Sequence, residues 1–293
     1  MKQLVVFFDC HGSEILNYLH QNNFYNELYT DTHIILNDYV IKGRKFYDNN
    51  ELDNYHIGLL HNADVVILQV IENDRGFLNN SNIEKYVTEK CIVIKIPHYR
   101  NSIYEYKLLE GYNDKYKMVL NWSLPELVKG INKPDEVLNI IKNQLVLPIN
   151  YYSKNELQTA FDLKYNEFAI IDELSDIKML KYYKDNWNKS RLFNGRRYPS
   201  SIFFYELVNN ILIYLKLLPN KIYIDSYFGE NTGHPIPEYW YKFCGFHFDN
   251  TYHIYKHIEI KEYEWYYILL HLNNADVIDE NEINKYLMQI RNV

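Results

Sequence analysis

Leu4-Val5-Val6-Phe7-Phe8, followed by Asp9-Cys10-His11-Gly12-Ser13, decides how the chain is read. The first five residues are apolar, β-branched or aromatic, the composition of a buried strand. The next five break that run. From Glu14 to Leu19 a helical pattern takes over, with Leu16 and Leu19 available for a core-facing stripe. Ser13 is the expected N-cap of this helix. A strand that hands Asp, Cys, His and Ser to the opening of a helix matches the edge of an open α/β sheet, where ligands bind beyond the carboxyl ends of the strands.

Working outward, Thr32 to Leu36 predicts a second strand, Glu51 to Asn62 a helix, and Asp64 to Gln69 a third strand. That strand runs into the polar loop Glu72-Asn73-Asp74-Arg75-Gly76. Ser81 to Lys90 reads as a helix capped by Ser81 or Asn82. Cys91 to Ile96 reads as a fourth strand, stopped by Pro97 and followed by His98-Tyr99-Arg100. Strands alternating with helices imply βαβ units and a mainly parallel sheet. Right-handed crossovers place the polar strand ends along one rim. Further on, Pro134-Asp135-Glu136 opens a helix, 155–165 and 176–187 are amphipathic, and 200–218 is a long apolar helix. Residues 252–270 read as strand or mixed structure and 279–290 as a final helix. The expectation is one α/β domain over 1–293, a sheet half at 1–125 and a helical half and tail at 126–293. A longer polypeptide could carry it as one of its domains.

A formal charge of −7 argues against bulk nucleic-acid binding. The bias toward 30 Tyr against 10 Gly reads as a trace of an AT-rich genome rather than of a mechanism. Cys10, Cys91 and Cys244 form no CxxC pair, which fits a reducing, cytoplasmic setting. No apolar run approaches the roughly 20 residues of a membrane span, and the N-terminus is a poor signal peptide.

Three strand ends carry reactive groups: Asp9-Cys10-His11, Gln69 to Arg75, and His98 to Arg100. Near a helix N-terminus the dipole favours neutral imidazole, which makes His11 a candidate base with Asp9 to orient it. The same dipole predicts a lowered pKa for Cys10, a candidate nucleophile. Backbone N–H groups from His11 to Glu14 could hold an oxyanion or phosphate. Lys189, Arg191, Arg196 and Arg197 make a cationic loop suited to pyrophosphate. His234 sits in the turn-rich stretch Gly229 to Pro237 and is a second candidate base. With no HExxH, CxxC or carboxylate triad at ligand spacing, no metal is expected. GxxxxGK[ST], GxGxxG and GxSxG are absent as well.

The order of these motifs resembles the WcbI-like family of polysaccharide-biosynthesis proteins, read as CoA-dependent acetyltransferases. Asp9-Cys10-His11 stands where that family has Gly-Asn-Cys-Gln, and Asp64 to Asp74 is similar to its Asp-Val-Val strand ending in Gln. Ile96-Pro97-His98-Tyr99 occupies the place of its Phe-Pro-aromatic turn. Ser190-Arg191-Leu192-Phe193 with Pro199-Ser200 resembles its later Arg-Leu-Phe and His-Pro-Ser/Thr element. Only Cys10 matches in the opening turn, and Tyr198 replaces the family's histidine, so His11, His98 or His234 would supply the base.

The resemblance implies a three-layer α/β sandwich of SGNH-hydrolase or flavodoxin type, with additional helices in the C-terminal half. It also implies acetyl transfer from acetyl-CoA to an amino or hydroxyl group of a sugar, such as a nucleotide-activated sugar in glycan biosynthesis. The expected catalytic residues are His11, Asp9, Cys10, His234 and Asp74, with an acetyl-Cys10 intermediate as the mechanistic alternative. Ser13, Arg75, Arg191, Arg196 and Arg197 are expected at CoA or nucleotide phosphates, and Gln69, His98 and Tyr99 at the acceptor. The competing classes are an SGNH-like esterase or deacetylase and a non-catalytic glycan- or nucleotide-binding module.

Overall fold

The computed structural model describes residues 1–36, 52–70, 78–99, 127–151, 153–195, 198–223, 236, 238–248, 252–254, 258–271 and 280–291. Four strands, β1 (Lys2–Phe8), β2 (Tyr29–Ile35), β3 (Val65–Val70) and β4 (Ile92–Pro97), form a sheet in the order β2-β1-β3-β4. Every pairing in it is parallel. Leu4 through Phe8 are each buried, as a parallel sheet covered on both faces requires. Val5 and Phe7 lie in register with Val66 and Leu68 and join Ile34, Leu60 and Ile83 in one core.

Among the described residues, the α-helices in this part of the chain are α1 (His11–Leu19), α2 (Asn23–Leu28), α3 (Asn54–Asn62) and the short α4 (Asn80–Ile83). Leu60 of α3 and Ile83 of α4 belong to the core over one sheet face. α1 packs on β1 and against the helix Ser201–Tyr214, which buries Phe203, Phe204, Leu207, Val208, Ile211 and Leu212. The result is the expected α/β sandwich around a parallel sheet.

Local starts and stops differ from the pattern in the sequence for identifiable reasons. α1 begins at His11, so Ser13 lies inside its first turn rather than at the N-cap. Cys10 holds the N-cap position without capping, and the Asp9 carboxylate accepts the His11 N–H at 2.9 Å instead. The helix expected over Ser81 to Lys90 shrinks to α4 and a 3₁₀ turn at Glu84–Tyr86. Its cap is Asn79, whose side chain accepts from the Asn82 N–H. The amphipathic stretch at 155–165 belongs to a longer helix, Lys154–Glu173. The helix predicted from 176 starts only at Leu180. Asp176 is used otherwise: its N–H donates to Lys95 O at 2.8 Å and its carboxylate accepts the Lys95 N–H, covering the exposed edge of β4.

The chain divides into two compact units. The first comprises Met1–Tyr99, Ala169–Tyr183 and Ser201–Ser226, and holds the sheet. The second comprises Arg100–Phe168, Lys184–Ser200 and Tyr227–Val293. Its core joins Val137, Leu138 and Ile141 to Ile258 and Ile260, on a strand paired antiparallel with Tyr252–Ile254, and to residues of the helices Glu262–His271 and Glu280–Arg291. The mixed reading of 252–270 thus resolves, among the described residues, into an antiparallel strand pair followed by a helix. Among the described residues no helix is long and apolar enough to cross a membrane.

Candidate functional site

The strand order reverses at β1: the chain goes from β1 to β2 on one side, then returns to place β3 on the other. Such a switch point leaves a crevice at the carboxyl ends of the two central strands. Asp9 follows β1, Gln69 lies near the end of β3, and His98 follows β4. A hydrogen bond ties the first two: the Asp9 N–H donates to Gln69 Oε1 at 2.9 Å. Gln69 therefore fixes the backbone that aims Asp9. Its own backbone carbonyl is held by Asn80 Nδ2 at 3.1 Å.

Asp9 is 5% exposed and collects both histidines. Its Oδ2 lies 2.9 Å from His98 Nδ1 and its Oδ1 3.4 Å from His11 Nδ1. The two imidazoles meet edge to face with centroids 4.6 Å apart, and His11 also abuts Phe204. Burial pushes the Asp9 carboxyl up, but the His98 hydrogen bond and the charges of both histidines outweigh it and hold it at about 2. The side chains also differ in access: His98 is 13% exposed and His11 only 3%.

Two further expectations about this turn are corrected. Cys10 reaches the surface, yet desolvation and then the Asp9 charge push its thiol up to about 11, the opposite of the activation expected from the helix dipole. The anion site expected from His11 to Glu14 is curtailed, because the His11 N–H is taken by Asp9 Oδ1 and the Gly12 N–H by Asp9 O at 3.0 Å.

Tyr99 follows His98 but turns inward, 2% exposed. Its hydroxyl donates to Asp172 Oδ1 at 3.1 Å and lies 3.0 Å from Ile177 O, and its ring packs on Phe203. Burial and Asp172 together push this phenol well above its ordinary range. It acts as an anchor behind His98. Arg191 belongs to the second unit, where its Nε donates to Phe193 O at 3.4 Å. Asp74, Arg75, Arg196, Arg197 and His234 lie outside the described residues.

His33 is the residue that the sequence reading passed over. It sits on β2 opposite Val6 and reaches across to the start of α1, where Ser13 Oγ is 3.1 Å from its Nδ1. The available signal was a lone imidazole in an otherwise apolar strand end, Ile34-Ile35-Leu36. The same applies to metal donors. One ligand atom each from Asp9, His11 and His98 falls within 4.8 Å of the others, a two-imidazole, one-carboxylate set of the kind transition metals accept. No spacing motif could show it, because the third donor arrives from a strand 87 positions along the chain (98 minus 11).

A doubly covered parallel sheet with an acid and two histidines at its switch point defines an α/β protein of the class that handles ligands at the carboxyl edge. No protein-family model and no curated protein matches the chain. Among solved structures it is similar to WcbI, described as a novel polysaccharide biosynthesis enzyme and solved as native protein without a disulfide bond between CoA and a cysteine. The likeness covers 99% of this chain and 95% of that one, at a TM-score of 0.64 and 12% identity. The chain has the WcbI-like fold.

Proposed function

We propose that the protein is an acyltransferase of glycan biosynthesis that moves an acetyl group from acetyl-CoA to an amino or hydroxyl group of a sugar, such as a nucleotide-activated sugar. The observation that carries this reading is the Asp9–His98 pair at the switch point. The fold likeness to a polysaccharide biosynthesis enzyme whose description mentions CoA supports it.

An acceptor amine or hydroxyl must lose a proton as it attacks a thioester, so the site needs a base. His98 is the better placed of the two histidines beside Asp9. With Nδ1–H donated to Asp9, Nε2 is the nitrogen assigned to take the proton, and the ionised carboxylate stabilises the imidazolium that forms. Gln69 and the backbone of α1 keep Asp9 aimed throughout. As the acceptor's N–C or O–C bond forms and the C–S bond breaks, the proton on His98 is available to the departing CoA thiolate. A thiol held at about 11 makes transfer through acetyl-Cys10 the less favoured route.

Thermal shift with CoA, acetyl-CoA and nucleotide sugars tests binding; a ligand at 100 times its Kd stabilises by about 2.7 kcal/mol. Thiol release from acetyl-CoA, followed with a panel of amino sugars and sugar nucleotides, tests chemistry. We expect CoA release that depends on acceptor and falls about 10² to 10⁴-fold in His98→Gln with little change in KM. Absence of any CoA-dependent shift, together with unchanged turnover in His98→Gln, would overturn the reading.

A further inference from the structure

Ser13 lies three positions past Cys10, on the same exposed face of α1. Its hydroxyl meets His33 Nδ1 at 3.1 Å. The other ring nitrogen, Nε2, lies 2.9 Å from Asp9 O and 3.2 Å from Phe8 O. Carbonyl oxygens only accept, so Nε2 carries the proton. In the neutral ring Nδ1 is then a lone-pair acceptor, and the Ser13 hydroxyl donates to it. The two carbonyls at the end of β1 thus do for His33 what a carboxylate does in a catalytic triad: they fix tautomer and orientation.

Gly12 makes the arrangement possible. A Cβ at that position would stand 2.3 Å from His33 Nε2 and 2.7 Å from Cδ2, so with any other residue the ring would have to shift. A bare glycine, a strand histidine and a first-turn serine are thereby fitted to one another around an exposed hydroxyl.

We propose that Ser13 and His33 form a nucleophile–base pair that cleaves acyl esters, an activity beyond transfer from a thioester. Ser13 Oγ bonds to the acyl carbon while His33 Nδ1 takes the hydroxyl proton. The ester C–O bond breaks and the departing alkoxide receives that proton from His33. Water then attacks the acyl-serine, giving up a proton through His33, and a carboxylic acid and free Ser13 result. The substrate class is a small acyl ester, and CoA takes no part.

The test is labelling of the full chain with an alkyl fluorophosphonate, read by intact mass and peptide mapping, alongside hydrolysis of p-nitrophenyl acetate without CoA. We expect one adduct, on Ser13, and ester turnover that labelling abolishes. Ser13→Ala loses both, and His33→Asn, checked for an intact thermal transition, labels at least tenfold more slowly. Wild-type protein that takes no label at Ser13, or His33→Asn that labels at the wild-type rate, overturns the proposal. The wild-type mapping decides even where a variant fails to fold, and neither result bears on acceptor-dependent CoA release.

Discussion

Asp9 in the first unit and Glu264 in the second are buried almost alike, at 5% and 3% exposure. Their partners set them apart. Glu264 accepts Arg291 Nε and Nη2, each at 2.8 Å, and the Lys261 N–H at 2.8 Å. Arginine keeps its charge at every working pH, so this pair fastens the helix Glu262–His271 to Arg291 of the last helix. Asp9 instead faces two imidazoles, side chains whose ring nitrogens can either donate or accept a proton. A buried carboxylate is thus structural or chemical according to whether its partner can titrate.

The comparison breaks if Asp9→Asn and Glu264→Gln behave alike. We expect Asp9→Asn to lower the proposed acyl transfer by about 10³-fold, because a His98 base would lose both its orientation and the charge that stabilises an imidazolium. Glu264→Gln leaves turnover unchanged and lowers stability by about 1 to 3 kcal/mol through the weakened Arg291 and Lys261 contacts. Turnover and denaturant unfolding of the two variants, measured side by side, give the answer.

Cys10 sharpens the same contrast, because it senses the Asp9 charge directly. With its thiol pushed from 9.0 to about 11, alkylation by iodoacetamide at pH 8 is expected to run roughly 100-fold slower than for an unperturbed thiol. Asp9→Asn removes one of the two causes and speeds the reaction. Cys10 labelling as fast as a free cysteine in wild type would show that neither burial nor the Asp9 charge acts on the thiol.

These residues also show how far the sequence could be read. The parallel sheet was legible because buried strands such as Val65 to Leu68 are unbroken apolar runs, and because each run ends in a polar residue at the same rim. Asp9 and His98 were legible as strand-end groups, but not as partners. Their meeting depends on β1 and β4 flanking β3, and strand order is a long-range property that no local spacing encodes. α1 starts ahead of Ser13 because Asp9, as good a cap as serine by type, lies where its carboxylate can accept the His11 N–H. His33 was invisible because its importance arises from the space that Gly12 leaves one element away.

Gly12→Ala tests that last point. The added methyl must displace the His33 ring, at a cost of about 1 to 3 kcal/mol for forced overpacking. Equilibrium unfolding of this variant should show that loss, whereas Gly58→Ala, where a Cβ meets nothing within 4 Å, should be neutral or stabilising. Equal effects at the two glycines would mean that His33 does not sit over α1.

Acid separates the two units most gently. Asp9 has its folded pKa depressed from 3.8 to about 2, so its stabilising contribution is fully present above the unfolded value and is lost as pH falls through that interval. The shift corresponds to about 2 kcal/mol, since one pKa unit is worth roughly 1.4 kcal/mol. Asp9→Asn carries no titrating carboxyl there, so the stability gap between wild type and variant should narrow between pH 4 and pH 2. In Glu264→Gln protein, which retains Asp9, the same acid-dependent loss should persist at full size. If the wild-type and Asp9→Asn curves instead run parallel through this range, Asp9 is solvated rather than held by its histidines, and its likeness to Glu264 is restored.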